Sequence, residues 1–453
     1  MTAEEKAKFN ELYGVEPSYL IRAPGRVNLI GEHVDYSGYG VLPMALQQAI
    51  VALVRPLPEP VIKLANFDSK YPAHEQASGL PVEIQFDQKP QWYHYFLCGY
   101  RGMLEHLAQA GDKKSSAGMA VLVSGSIPPS AGLSSSSALV CCAALTTLVA
   151  VTEGQSFDVV SRSDMADLCA KCERYIGTQG GGMDQAVCFL AEANQAKLIE
   201  FNPLRTRPVV LPSGARFVVA NSCVEMNKAA TSAFNERVVE CRLAAQILVA
   251  QAGKPWTEIA RLKDAQTALG LDLTQMAEHV KKQLKADPYS LDEVCSILKV
   301  SVEHVQSHCL TSNTQHMNQF KLRQRAEHCY SEAGRVFQFA DVCKAWQAGE
   351  LKPEDALSSL GRLMNDSHNS CRDDYQCSCA ELDQLVETAR ASGAAGSRLT
   401  GAGWGGCSVS LVQQDQVEQF KKSLVEKYYK PKRIDPPQLF DTAPESGAVL
   451  EKL

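Results

Sequence analysis

The sequence predicts an α+β protein of two domains, and three observations predict it. At 453 residues the chain is long enough for two or three domains with a large core. Strand-like and helical patterns alternate through its first half, whereas helical spacing dominates the second. Prolines and a change of composition meet near Pro203 to Pro212. The expected division is therefore residues 1–207 and a helix-rich 208–453.

Composition narrows the function classes. Hydrophobic residues make up 45% and charged residues 21%, ordinary for a soluble globular enzyme. Net charge is −6 with no long run of one sign, so neither a nucleic-acid nor a membrane surface is expected. The most apolar helical stretch, near residues 138–151, is too short to span a bilayer and contains Thr146 and Thr147. Met1 to Asn10 is charged and polar, unlike a signal peptide. The 16 cysteines form no disulfide framework, which fits reduced thiols in a cytoplasmic protein, expected here as a monomer.

Taken in order, residues 4–14 predict a short surface helix, and the chain turns strand-like from Ser18. Leu42 to Pro56 predicts one or two strands and Val61 to Phe67 another; Trp92 to Ala108 has helical spacing. The run Met119 to Val123 predicts a buried strand, and Leu139 to Val151, apolar on every side, a fully buried helix. Residues 163–176 predict a helix ending at Gly177. Lys197 to Phe201 and Ala215 to Ala220 predict strands, Lys228 to about Gly349 a mostly helical region, Leu382 to Ser392 a helix, and Cys407 to Val412 a strand. The Pro-rich tail from Lys430 predicts irregular chain until Gly447.

The stretch organising the chain lies between the buried strand and the buried helix: Pro128-Pro129-Ser130-Ala131-Gly132-Leu133-Ser134-Ser135-Ser136-Ser137-Ala138. A first helical turn leaves backbone N–H groups unpartnered, and the peptide dipoles add partial positive charge there. Gly132 admits close approach, and the Ser hydroxyls can donate to phosphate oxygens or ligate a hard cation. That describes a phosphate cradle. The Lys-Ser/Thr ending of the common P-loop is missing, and the plainer alternative is a Ser-rich cap.

Other candidates follow from residue type. Asp184 comes after Gly180, Gly181 and Gly182 with only Met183 between, so a substrate can approach its carboxylate. A base for a hydroxyl proton must be an acceptor within hydrogen-bond reach, and Arg26 is the partner that would keep Asp184 ionised. The alternative is an exposed Asp at a helix C-cap. Glu32, His33 and Asp35 suit the hydroxyls of a sugar; a solvated hairpin and a metal site compete. In an extended segment residues 32 and 33 would point to opposite faces, which argues against the metal. Glu173 and Ser136 offer hard oxygens to Mg²⁺, although a Glu such as Glu173, taken alone, is more often a solvated helix residue. Asn221, Asn227 and Lys228 could face nucleotide or sugar, or form an ordinary connection. Ser397 to Gly406 reads as a second glycine loop or a tight turn. The cluster His368, Cys371, Cys377 and Cys379 lacks paired zinc spacing.

Together these stretches resemble the GHMP family of small-molecule kinases. Arg22-Ala23-Pro24-Gly25-Arg26-Val27-Asn28-Leu29-Ile30-Gly31-Glu32-His33-Val34-Asp35-Tyr36 is similar to the galactokinase signature; the polyserine stretch and Ser397 to Gly406 resemble the family's second and third motifs. The resemblance implies a two-domain fold with the active site in the inter-domain cleft, ATP and Mg²⁺ as cofactors, and phosphoryl transfer to an anomeric hydroxyl. It implies Asp184 and Arg26 as catalytic residues, with Arg26, Glu32, His33, Asp35, Gly181 and Asp184 around the sugar. Gly132, Ser134, Ser135 and Ser136 would hold the ATP phosphates, with Ser136 and Glu173 at Mg²⁺. Asn227 and Lys228 would contact nucleotide; Trp92 matches an aromatic beside the adenine, though a core anchor is as good a reading.

Within the family, Gly180 to Gln185 and Asn221 to Thr231 look like the branch acting on N-acetylgalactosamine. Phe234 falls where galactokinases usually have Tyr, Ser37 where they usually have Asn, and Pro444 to Gly447 departs from a more glycine-rich ending. The expectation is thus N-acetylgalactosamine 1-phosphate formation with weaker activity on galactose. The alternatives are a galactokinase proper and a non-catalytic sensor of galactose and ATP.

Overall fold

The computed structural model describes residues 2–85, 89–111, 118–177, 180–225 and 232–453. Helix α1 (Ala3–Tyr13) opens with a capping box in which Thr2 and Glu5 satisfy each other's backbone N–H groups, and it ends at Gly14 in the left-handed conformation. Strands β1 (Tyr19–Ile30), β2 (Leu42–Leu57), β3 (Val61–Asn66) and β4 (His74–Ala77) follow. Next come α2 (Trp92–Gln109), β5 (Gly118–Gly125), α3 (Ser135–Val151), α4 (Arg162–Cys172) and α5 (Met183–Leu190). The expected helix over 163–176 is in fact α4 followed by a short 3₁₀ turn, Glu173–Ile176.

Beyond them run β6 (Ala196–Glu200), β7 (Arg205–Val209), β8 (Ala215–Asn221), α6 (Ala233–Gln251), α7 (Leu262–Leu269) and α8 (Leu273–Gln283). The short β9 (Tyr289–Ser290), α9 (Leu291–Leu298), α10 (Val302–His308) and β10 (Gln319–Phe320) lead into the long α11 (Leu322–Gln347) and α12 (Pro353–Ser370). The chain closes with α13 (Ala380–Ala391), β11 (Gly396–Leu399), β12 (Cys407–Gln413), α14 (Val417–Leu424), β13 (Leu439–Thr442) and β14 (Val449–Lys452).

The chain divides into two compact units. The first comprises Met1–Val27, Met44–Gln195 and Pro444–Leu453; the second comprises Asn28–Pro43 and Ala196–Ala443. This differs from a single cut at 207/208, because β1 passes from one unit into the other after Val27 and the last strand returns to the first unit. In the first unit the six-stranded sheet has the order β14-β1-β2-β5-β3-β4. β14 pairs antiparallel with β1, Tyr19 opposite Lys452, and β3 runs parallel to β5. β14, just past the stretch expected to be irregular, covers the edge of β1, a nonlocal pairing that composition does not reveal. Helix α3 has almost no exposed side chain from Ser137 onward, which explains why its sequence is apolar on every face. α1 seats Phe9 against Leu20, Leu53, Ala65, Ala120 and Leu122.

In the second unit a four-stranded sheet, order β11-β12-β8-β13, buries Val218, Ala220 and Val412 against Leu385, Phe420, Tyr428 and Tyr429. Of the expected irregular tail, β13 belongs here, paired with β8. All 16 cysteines are free thiols. Among the described residues no helix is long and apolar enough to cross a membrane.

Candidate active site

In the first unit the polyserine stretch begins helix α3. Ser134 is its N-cap, with φ +62° and no side-chain cap bond, so the first-turn amides of Ser135 to Ser137 are left without the usual capping partner. The cap alternative is therefore not what the four serines do. Gly132 sits at φ +74°, a left-handed turn that glycine adopts at low cost. Its carbonyl accepts from Nη1 of Arg26 at 2.5 Å, and the Arg26 backbone N–H donates to the Leu133 carbonyl at 3.2 Å. Strand β1 thus clamps the loop from beneath.

The same Arg26 reaches Asp184. Its Nε lies 2.8 Å from Oδ1, with side-chain exposures of 2% and 14%. Asp184 is not at a helix C-cap; it lies in the first turn of α5, capped by Gly182 at φ +103°. A carboxylate there is favoured by the helix dipole as well as by the guanidinium. Ser137 joins a second carboxylate to the pair: its Oγ is 2.7 Å from Oε2 of Glu173 and 3.3 Å from Oδ2 of Asp184. Gln185 donates from Nε2 to the same Glu173 oxygen at 2.5 Å. Glu173 is accordingly buried, not a solvated helix residue.

These residues fit a hard divalent cation. One buried carboxylate and the hydroxyl of a half-buried Ser136 supply hard oxygens, and the open first-turn N–H groups make a place for phosphates beside them, which is what Mg²⁺ requires. Among the described residues no group of three or more His, Cys, Asp and Glu forms a protein-only metal cage. Trp92 is buried at the start of α2, and its indole N–H donates to the Pro72 carbonyl at 2.7 Å, the geometry of a core anchor.

In the second unit Glu32 and His33 stand in a turn, not in an extended segment, and His33 has φ +59°. Alternation between faces therefore does not apply to them. Oε1 of Glu32 accepts from the Gly401 N–H at 2.9 Å and the Thr400 hydroxyl at 3.3 Å, with Nη1 of Arg398 at 3.5 Å. The third glycine motif, which begins as strand β11, thus spends its donors on the Gly-Glu-His turn. His33 donates from Nε2 to the Ala402 carbonyl at 2.9 Å; in the neutral ring Nδ1 then accepts from the Tyr36 hydroxyl at 2.7 Å. Both ring nitrogens have protein partners, so the ring walls the turn with Phe234, Tyr375 and Trp404, whose centroids lie 4.7–5.7 Å away. Asp35 is half-buried, and Gly181 lies just before the α5 cap. Asn221 donates to Gln438 at 2.9 Å; Asn227 and Lys228 lie outside the described residues.

Several residues of these arrangements have no individual signal in the sequence. Ser137 is one serine of four, and the run does not say which one faces the carboxylates. Glu332, His328 and Arg398, which hold the Gly31–His33 turn, look like ordinary helix and strand residues until the fold buries them.

A capless polyserine helix start beside a buried Arg–Asp pair defines a phosphotransferase of the GHMP kinase type, and the comparisons agree. Residues 7–56 match the galactokinase galactose-binding signature, residues 95–192 the N-terminal domain of GHMP kinases, and residues 353–430 their C-terminal domain. A galactokinase of Dictyostelium discoideum is 40% identical across 98% of this chain and 92% of its own length. One of Saccharomyces cerevisiae is 33% identical over the same shares. The crystal structure of Lactococcus lactis galactokinase complexed with galactose superimposes with a TM-score of 0.71 at 28% identity, covering 99% of this chain and 98% of that one. Mevalonate kinase of Methanococcus jannaschii, at 17% identity and TM-score 0.57, shares the fold alone. The chain belongs to the GHMP kinase family and to its galactokinase subfamily. It is an enzyme, a sugar 1-kinase, and membership of a kinase family brings ATP use with it.

Proposed function

We propose that the protein transfers the γ-phosphoryl group of ATP to the anomeric hydroxyl of a galactose-type sugar. The observation that carries this reading is the buried 2.8 Å contact between Arg26 and Asp184, set beside the open amides of α3. Asp184, kept ionised by Arg26, accepts the proton of the anomeric hydroxyl as its oxygen attacks phosphorus. Arg26 and the α3 amides offset charge spreading over the phosphoryl oxygens. Gly132, Ser134, Ser135 and Ser136 hold the phosphates, and the family resemblance assigns Asn227 and Lys228 to the nucleotide, while Trp92 is left as a core anchor. Glu173 and Ser136 would hold Mg²⁺, which supplies charge neutralisation to the phosphates when bound. The family resemblance assigns Arg26, Glu32, His33, Asp35 and Gly181 to sugar recognition.

Galactose is the acceptor that the relatives' names favour. A second reading, N-acetylgalactosamine with galactose weaker, is supported by Phe234, buried 5.6 Å from the His33 ring and 5.4 Å from that of Tyr36. A hydroxyl-free side chain there leaves an apolar wall suited to an acetyl group. Comparing kcat/KM for the two sugars, with identification of the sugar phosphate, decides between them. Binding of sugar and ATP without ADP release would instead favour a sensor.

A further inference from the structure

The Gly31–His33 turn is gripped from one face of α11, through two of its backbone N–H groups and two of its carbonyls. Glu332 Oε1 accepts the backbone N–H of Gly31 at 2.8 Å and of Glu32 at 3.2 Å. One turn earlier on the helix, His328 donates from Nε2 to the Glu32 carbonyl at 3.0 Å, and the Cys329 thiol points at the His33 carbonyl at 3.5 Å. One turn later, Val336 packs on Gly31, where an added Cβ would lie 2.8 Å from Cγ2. Residues 328, 329, 332 and 336 share one helical face by their spacing.

Glu332 is fully buried, an unusual place for a carboxylate unless it is paired. Its Oε2 takes Arg335 at 2.6 Å, its Oε1 also takes the Ser367 hydroxyl at 2.6 Å, and Arg398 lies 3.9 Å away. Arg398 in turn reaches both Glu32 and the Asn28 carbonyl. The carboxylate is therefore shared between two guanidiniums and the two amides of the signature turn. Charged acceptors make short, strong bonds to backbone N–H groups, so the turn is fixed in orientation and not merely packed.

The geometry points to Glu332, with His328, as the positioning residue for sugar recognition: it sets the direction in which Glu32 and His33 are presented. The inference rests on the reading of the Gly31–Asp35 turn as part of the sugar site. Neither residue is given a contact with substrate; each acts through the turn.

The test is steady-state kinetics on the full chain with galactose and N-acetylgalactosamine, ATP affinity measured separately by calorimetry. Glu332→Gln keeps an acceptor oxygen but loses the charge that both arginines and both amides share. We expect its sugar KM to rise about tenfold, with ATP Kd within twofold of wild type. A purely structural role would lower the active fraction, and so kcat, without moving the sugar KM. If Glu332→Gln does not fold, the His328 pair serves: His328→Gln retains a donor for the Glu32 carbonyl and should keep the sugar KM near wild type, whereas His328→Leu should raise it several-fold. Folded Glu332→Gln with unchanged sugar KM, or His328→Gln and His328→Leu with equal values, would overturn the inference alone. A wild-type enzyme that phosphorylates neither sugar would defeat the functional reading, and the inference with it.

Discussion

Replacing Asp184 by Asn separates chemistry from architecture. The amide keeps the outline of the side chain and one oxygen for Arg26 but loses charge and basicity. At 2.8 Å and an effective dielectric near 20, the direct attraction in the native pair is about 6 kcal/mol. Most of that offsets the desolvation of two nearly buried ions. Arg26 also keeps the Gly132 carbonyl at 2.5 Å. The net stability loss should then be about 1–3 kcal/mol, the size of one charge-assisted hydrogen bond. For a domain of this size that lowers the melting temperature by roughly 2–4 °C per kcal/mol. Loss of a general base costs about 10²- to 10⁴-fold in turnover, equivalent to roughly 3–5 kcal/mol on the barrier. Turnover should thus fall far more than stability. The assay is coupled ADP release at saturating sugar, beside a thermal melt and ATP calorimetry. A native-like melt and ATP Kd with kcat within tenfold of wild type would refute the base role.

Three further outcomes follow from the same structure. Phe234→Tyr should shift the kcat/KM ratio toward galactose; an unchanged ratio removes Phe234 from selectivity. Gly31→Ala forces a side chain onto φ +104° with Cβ 3.1 Å from the Val41 Cα, and should cost roughly 2–5 kcal/mol in a denaturant titration while raising sugar KM. Acid should loosen the second unit in two stages. Burial pushes His328 from its ordinary 6.5 to about 4, against the pull of Glu332 and with Arg335 and Arg398 adding to it. For Glu332 burial acts upward, but Arg335, Arg398, His328 and Ser367 outweigh it and hold the carboxyl at about 2 instead of 4.5. Both groups bind fewer protons folded than unfolded, so their contribution is complete above pH 6.5. It is lost for His328 as pH falls from 6.5 to about 4, and for Glu332 from 4.5 to about 2. Each fall is worth on the order of 3 kcal/mol. Melting temperature against pH should flatten between 6.5 and 4 in His328→Gln.

Local chemistry was legible in the chain wherever one segment contains its own reason. The polyserine run between a buried strand and an all-apolar helix announces an open helix N-terminus, because the unpaired amides of a first turn are a property of that turn alone. The glycines before Asp184 and the Arg-rich signature with its acidic residues are local in the same way, and they identify a kinase motif set without coordinates. What required the tertiary structure is every choice that depends on a distant partner. Which serine faces Glu173 and Asp184, why β14 is a strand, and why Glu332 is ionised in a fully buried place are settled by segments far apart in sequence. Burial and pairing are properties of two surfaces meeting, and neither surface alone encodes the distance at which they meet.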